Sequence, residues 1–254
     1  MRLFDLHCDT LGEIYRQKAR LDKNGMHVSL EKALGVFDEY IQVMAVWSEH
    51  KVDPDENYVR ALDAIDYLDG SYEKTDAFTP ILAIEGGKLL NYELSRLDTL
   101  RDRGVKIFTL VWKDECCMGG AYNNSAGLSD FGREALTRCF DLGIVPDLSH
   151  SNDIICSEVL FHALMRGKPV IASHSCSRAV FDHRRNLSDE IAKQPEHIEK
   201  MKKYEAAVEA AKGKINEALS SEEIAKATED GMSVLEGVSD KAVTMDLYNA
   251  KEAA

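Results

Sequence analysis

The sequence predicts an α/β fold: a (β/α)8-like barrel, incomplete at about six βα units, followed by an α-helical C-terminal tail. Three observations predict it. Up to about residue 190, short apolar runs alternate with stretches of helical periodicity. The runs are continuously apolar, as in strands of a parallel sheet buried on both faces. From Asp189 onward the composition shifts to Ala, Glu and Lys. The chain has 254 residues, 44% of them hydrophobic, which is enough for one sizeable core.

The runs, in order, are Leu3–Cys8, Tyr40–Trp47, Pro80–Glu85, Lys106–Trp112, Ile144–His150 and Pro169–His174. Each is rich in Val, Ile, Leu, Phe or Tyr, and several end at Gly or a small polar residue. Between them Asn57–Leu68, Leu94–Arg103, Asp130–Leu142 and Asn152–Met165 carry apolar residues at helical spacing, with Asp130 and Asn152 as N-caps. Strand, helix, strand is the signature of repeated βα units. A closed eight-stranded barrel needs two more strands than these six runs supply.

The remainder does not supply them. Lys203–Lys212 places Glu205, Val208, Glu209 and Lys212 at i,i+3 and i,i+4 spacing, typical of a solvated helix. Ser220-Ser221-Glu222-Glu223 reads as a second helix start, and Gly231 and Gly237 as breaks. Val243–Leu247 is too short to replace two strands. The organisation expected is a partial barrel over 1–188 and an acidic helical tail over 189–254.

The formal net charge of −13 disfavours nucleic acid and anionic membranes as partners. No window approaches the ~18 apolar residues of a membrane-spanning helix, and Met1-Arg2-Leu3-Phe4-Asp5 has no apolar signal core. A cytoplasmic location follows as the expectation. Six cysteines without a paired framework read as free thiols. Cys116-Cys117 lacks a second Cys or His pair at zinc-finger spacing, so we do not read it as a metal site.

The residues that could carry chemistry lie at strand ends. His7 and Asp9 are two apart at the end of the first run, so their side chains share a face. Glu85 directly follows an apolar run, where a carboxylate needs a partner unless it leans into solvent. His150 and His174 close the fifth and sixth runs and would project into one mouth. Imidazole and carboxylate donors without thiolate suit zinc, with manganese or cobalt as alternatives. If Glu85 bridges, two ions can share the set and serve amide or ester hydrolysis.

Asp5-Leu6-His7-Cys8-Asp9-Thr10, Ile84-Glu85-Gly86-Gly87, Gly127-Leu128-Ser129-Asp130-Phe131-Gly132, Asp147-Leu148-Ser149-His150, Ser173-His174-Ser175 and Arg185-Asn186-Leu187 follow one another as in membrane (renal) dipeptidases. In their order and spacing the chain resembles that family of zinc metallopeptidases, in its bacterial type. The resemblance implies a metal-dependent barrel that cleaves dipeptides, including some with a D-residue at the carboxyl side. It implies one zinc on His7 and Asp9, a second on His150 and His174, and Glu85 bridging both. It also implies that Arg185 binds the substrate carboxylate, where the residues alone read as a solvated basic turn.

Two departures qualify the resemblance. Trp112 stands where the animal enzymes carry a histidine, as in many bacterial relatives. The aspartate that the family's last strand delivers as general base has no match, since Asp230 and Asp240 lie in polar, helical surroundings. Losing such a base commonly costs ~10²–10⁴-fold in rate. The open sheet edge is then covered by the tail or by a second chain in a homo-oligomer, or the protein is a truncated relative. A metal-binding relative with a partner-binding tail and another amide or ester hydrolase, such as a lactonase or deacetylase, are the alternative readings.

Overall fold

The structure is a computed structural model that describes residues 1–193, together with Lys203, Ala206 and Ala210, which are helical. Its packing divides the chain into Met1–Ile191 and Ala192–Ala254. The first unit carries every candidate site residue, and the architecture below is that unit's. Most of the tail, where two or three helices are expected, lies outside the described residues, as do Asp230 and Asp240.

Five parallel strands lie in sequence order: β1 (Arg2–Cys8), β2 (Glu39–Trp47), β3 (Phe78–Glu85), β4 (Val105–Thr109) and β5 (Val145–Asp147). The sheet curls into a half-barrel. Between and after the strands lie helices α1 (Thr10–Gln17), α2 (Leu30–Leu34), α3 (Pro54–Leu68), α4 (Ser95–Asp102), α5 (Asp130–Leu142) and α6 (Asp153–Arg166). The fold is the expected incomplete (β/α) barrel. The sixth unit is reduced: Pro169–His174 contributes a single bridge, Ile171 beside Asp147, and no strand.

Both faces of the sheet are apolar, which is why the strands read as continuous runs. Tyr40, Met44, Val46, Ile84, Val105 and Phe108 belong to the larger core, where Leu11, Ile14, Leu97 and Leu100 of the helices are also fully buried. The alternate residues Val43, Ala45, Ala83 and Ile107 form a second, smaller apolar cluster with Leu6, Ile81, Val145 and Ile171. Register places Ala45, Ala83, Ile107 and Val145 side by side. Two residues further along each strand, the same face presents Trp47, Glu85, Thr109 and Asp147 in register. The inner face thus turns polar at the carboxyl ends of the strands, where active sites of such folds are built.

Helix starts follow side-chain chemistry. Asp53 caps α3, with Pro54 at its first position. Asn152 caps α6 as expected, its Oδ1 accepting from Ile155 N at 2.9 Å. The cap of α5 is Ser129 and not Asp130: Ser129 Oγ accepts from Gly132 N at 2.9 Å. Asp130 sits in the first turn instead, where its charge complements the helix dipole.

Candidate metal centre

Glu85 ends β3 and is only 4% exposed. The chain turns away immediately after it. Gly86 adopts φ +94, and a 3-10 turn spans Gly87–Leu90. Gly86 N and Gly87 N donate to the carbonyls of Thr109 and Leu110, both at 3.0 Å. These bonds tie the carboxyl end of β3 to that of β4 and aim Glu85 along the inner face.

Three imidazoles meet its carboxylate. His150 Nε2 lies 2.8 Å and His174 Nε2 3.4 Å from Oε1, whereas His7 Nε2 lies 3.4 Å from Oε2. His150 and His174 face each other Nε2 to Nε2 at 2.9 Å, and the ring centroids of His7 and His174 lie 3.8 Å apart, their planes tilted by 31°. Asp9 Oδ1 is 3.5 Å from His7 Nε2. Asp9 occupies the cap position of α1, yet its side chain caps nothing, so this carboxylate is not committed to the helix. The five candidate donors therefore converge. The sequence grouped them without saying which oxygen of Glu85 each would face.

The electrostatics match that crowding. Burial would raise the Glu85 carboxyl, but hydrogen bonds from His150, His174 and His7 hold it far below its ordinary range. Burial would lower His7, but Asp9 and Glu85 outweigh it and hold its pKa at about 9. Burial lowers His150 despite Glu85. No Lys or Arg among the described residues pairs with Glu85 within 4.0 Å. His150 itself stands at φ +69, a strained value for a residue with a side chain, and its Nδ1 is buried without a partner.

A buried carboxylate compensated only by imidazoles is the donor chemistry of a borderline metal such as zinc. His7, Glu85 and His174 each offer a ligand atom within 4.8 Å of the others, and no second such group occurs among the described residues. Cys117 Sγ donates to Gly87 O at 3.3 Å. The donor set fits a metal.

Around the site stand groups with binding roles. Arg185 is partly buried, and its Nη1 donates to Ser175 Oγ at 2.7 Å. Burial lowers its pKa against the attraction of Asp147 and Glu85, and no carboxylate among the described residues pairs with it within 4.0 Å. A neighbouring arginine anchors its loop: Arg178 forks onto Asp153 with both N–O distances at 2.7 Å, and its Nη2 reaches Arg184 O at 3.2 Å. Trp112 packs against Trp47, ring centroids 4.8 Å apart and planes tilted by 58°, and lies 6.1 Å from the His150 ring. Tyr122 sits 6.2 Å from that ring, and its N–H donates to His150 O at 2.8 Å. Sequence reasoning missed Trp47, Tyr122 and the network of Asp147, though a carboxylate inside the apolar run Ile144–His150 was a signal.

The comparisons agree with one another. The family described as membrane dipeptidase (Peptidase family M19) matches residues 62–197, a stretch that contains Glu85, His150, His174 and Arg185 and begins after His7 and Asp9. Dipeptidase 3 of Mus musculus is 30% identical over 138 residues, 51% of this chain and 27% of that protein. Dipeptidase 3 of Homo sapiens is 33% identical over 119 residues, 44% of this chain and 24% of its own length. The chain thus spans about a quarter of these curated relatives. In fold it is similar to a metallopeptidase from Rhodobacter sphaeroides liganded with a phosphinate mimic of the dipeptide L-Ala-D-Ala, with a TM-score of 0.66 at 20% identity, covering 78% of this chain and 72% of that one. The probable dipeptidase PvdM from Pseudomonas aeruginosa is similar over 91% of this chain and 79% of its own, at 18% identity and a TM-score of 0.59.

Proposed function

The chain belongs to the membrane dipeptidase family, and from that premise we propose that it hydrolyses dipeptides at a two-zinc centre. The observation that carries the reading is the division of the Glu85 carboxylate: Oε2 towards His7, Oε1 towards His150 and His174. On this reading His7 and Asp9 would hold one zinc, His150 and His174 the other, and Glu85 would contribute to both. When bound, such a pair supplies an acidified water and a Lewis acid for the scissile carbonyl.

The chain's own groups do the remainder. Arg185, half-buried and without a carboxylate partner among the described residues, binds the free carboxylate of the dipeptide and orients it, a task suited to a planar, permanently charged donor. Trp112 stands beside His150 with Trp47 next to it, and the two indoles line that side of the site. Tyr122 holds the backbone of His150. The bound mimic of the Rhodobacter sphaeroides neighbour brings L,D-dipeptides into the substrate range to be tested.

A second reading is favoured by one observation. Of the buried carboxylates at this end of the sheet, Glu85 is taken as a ligand and Asp147 is saturated with donors. No described residue takes the role of general base, which favours a metal-binding relative with weak or no turnover. The two readings separate on a panel of L,L- and L,D-dipeptides offered to the full zinc-reconstituted chain, with EDTA-treated protein as control. Metal-dependent turnover supports the dipeptidase; bound zinc without turnover supports the silent relative. Loss of about one zinc per chain in His150→Ala or His174→Ala is expected, and unchanged zinc content refutes the ligand assignment. Arg185→Ala should abolish saturable dipeptide binding; unchanged kinetics would point to an amide or ester hydrolase whose substrate lacks a free carboxylate.

A further inference from the structure

One buried carboxylate at the carboxyl end of the sheet faces no ligand position. Asp147 ends β5 and is 1% exposed. Its Oδ1 accepts from the backbone N–H groups of Ser149 at 3.0 Å and Ser173 at 2.9 Å. Its Oδ2 accepts from the hydroxyls of Thr109 at 2.7 Å and Ser173 at 2.6 Å. Four donors match the lone pairs of an ionised carboxylate, which is acceptor-only. Burial opposes the charge, but these bonds hold the carboxyl below its ordinary pKa.

That inventory decides where the Ser173 proton points. The Ser173 hydroxyl lies 2.6 Å from Asp147 Oδ2 and 2.7 Å from His174 Nδ1, with Ser149 Oγ farther away at 3.4 Å. Its single proton goes to the carboxylate, because the carboxylate has none to give. Nδ1 of His174 then meets Ser173 Oγ only as a donor. A neutral imidazole has one N–H, so Nε2 keeps its lone pair. Nε2 is the atom 3.4 Å from Glu85 Oε1.

We propose that Asp147, acting through the Ser173 hydroxyl, holds His174 as the Nδ1–H tautomer with its Nε2 lone pair directed into the metal centre. Asp147 and Ser173 are thereby positioning residues. This inference rests on the metal-centre reading above. Metal-binding histidines commonly donate their second N–H to a carboxylate, and here a serine hydroxyl is interposed in that relay. The backbone reinforces it, since His174 N donates to Ser149 Oγ at 3.1 Å. His150 has no counterpart, its Nδ1 being buried without a partner. The two histidines on the Oε1 side therefore differ: His174 is preset by the protein, whereas no side chain among the described residues bonds Nδ1 of His150.

The test uses the full chain, wild type and with Ser173→Ala or Ser173→Thr. Side-chain ¹⁵N–¹H spectra of the metal-free protein, with His174 assigned by His174→Ala, report the tautomer without metal or substrate. Competition with a chelator reports zinc affinity. Wild-type protein should show His174 protonated at Nδ1. Ser173→Ala should mix the tautomers and weaken zinc binding about 10–100-fold, and Ser173→Thr, which keeps the hydroxyl, should restore both. A wild-type Nε2–H tautomer overturns the proposal, as does Ser173→Ala with unchanged tautomer and affinity. Absence of dipeptide turnover with the tautomer as stated counts against the dipeptidase reading alone.

Discussion

Asn152→Ala should destabilise the protein by about 3 kcal/mol, far more than the loss of a helix cap. Asn152 is 7% exposed and works at both ends of its amide. Its Oδ1 caps α6 through Ile155 N at 2.9 Å. Its Nδ2 lies 2.8 Å from Ala126 O, 3.1 Å from Asn124 O and 3.3 Å from Ala121 O, clamping the loop that carries Tyr122. Two N–H groups serve three carbonyls, so we count two hydrogen bonds. The cap contributes about 1 kcal/mol and each bond to a carbonyl about 1 kcal/mol. For a unit of this size, 3 kcal/mol lowers the Tm by roughly 6–12 °C. Asn152→Asp separates the two roles. It keeps the cap, and its charge suits a helix N-terminus, but it turns lone pairs towards three carbonyls and should still lose about 2 kcal/mol. Urea and thermal unfolding of the metal-free chain, followed by circular dichroism, measure both variants. An Asn152→Asp protein as stable as wild type, or an Asn152→Ala loss near 1 kcal/mol, would refute the clamp.

Two further outcomes are expected. Gly87→Ala would place a methyl 2.4 Å from Met118 Cγ and 2.6 Å from Leu110 O; the methionine can swing but the carbonyl is bonded in place, so a loss of about 1–3 kcal/mol should appear as a lower Tm, and an unchanged Tm would show that the 3-10 turn shifts freely. Asp147 is ionised more readily in the fold than in the unfolded chain, so its contribution is full above the unfolded pKa of ~3.9 and is lost as pH falls through the lower folded value; Asp147→Asn should flatten that part of the acid unfolding curve, and an unaltered curve would mean its four bonds do not favour the charge.

Much of the fold was legible because burial on both faces leaves a mark in the sequence. Tyr40–Trp47 and Pro80–Glu85 differ from β2 and β3 by only a residue or two at their starts. The later runs overreach. Lys106–Trp112 stops pairing at Thr109, and Ile144–His150 at Asp147, because Leu110, Val111 and Leu148 stay buried after the backbone has left the sheet. An apolar pattern reports burial and not direction, so the turn at His150, with its φ of +69, left no trace. Asp130 was read as a cap because either a serine or an aspartate can cap a helix; the structure uses Ser129.

By itself the sequence placed His7, Asp9, Glu85, His150 and His174 at or just past the ends of apolar runs, and the pleat then sends Glu85 to the inner face. Arg185 had no such signature, and without the family resemblance it reads as a basic turn. Only the tertiary structure decided that Oε2 of Glu85 meets His7 while Oε1 meets His150 and His174, and that Asp147 is occupied by Thr109, Ser149 and Ser173. The physical reason is the reach of the contacts. All but the Ser149 N–H bond to Asp147 join residues far apart in the chain, and their geometry comes from strand register, the break in pairing between Asp5 and Cys8, and the turn after β3. None of these is expressed in the local pattern of any one segment.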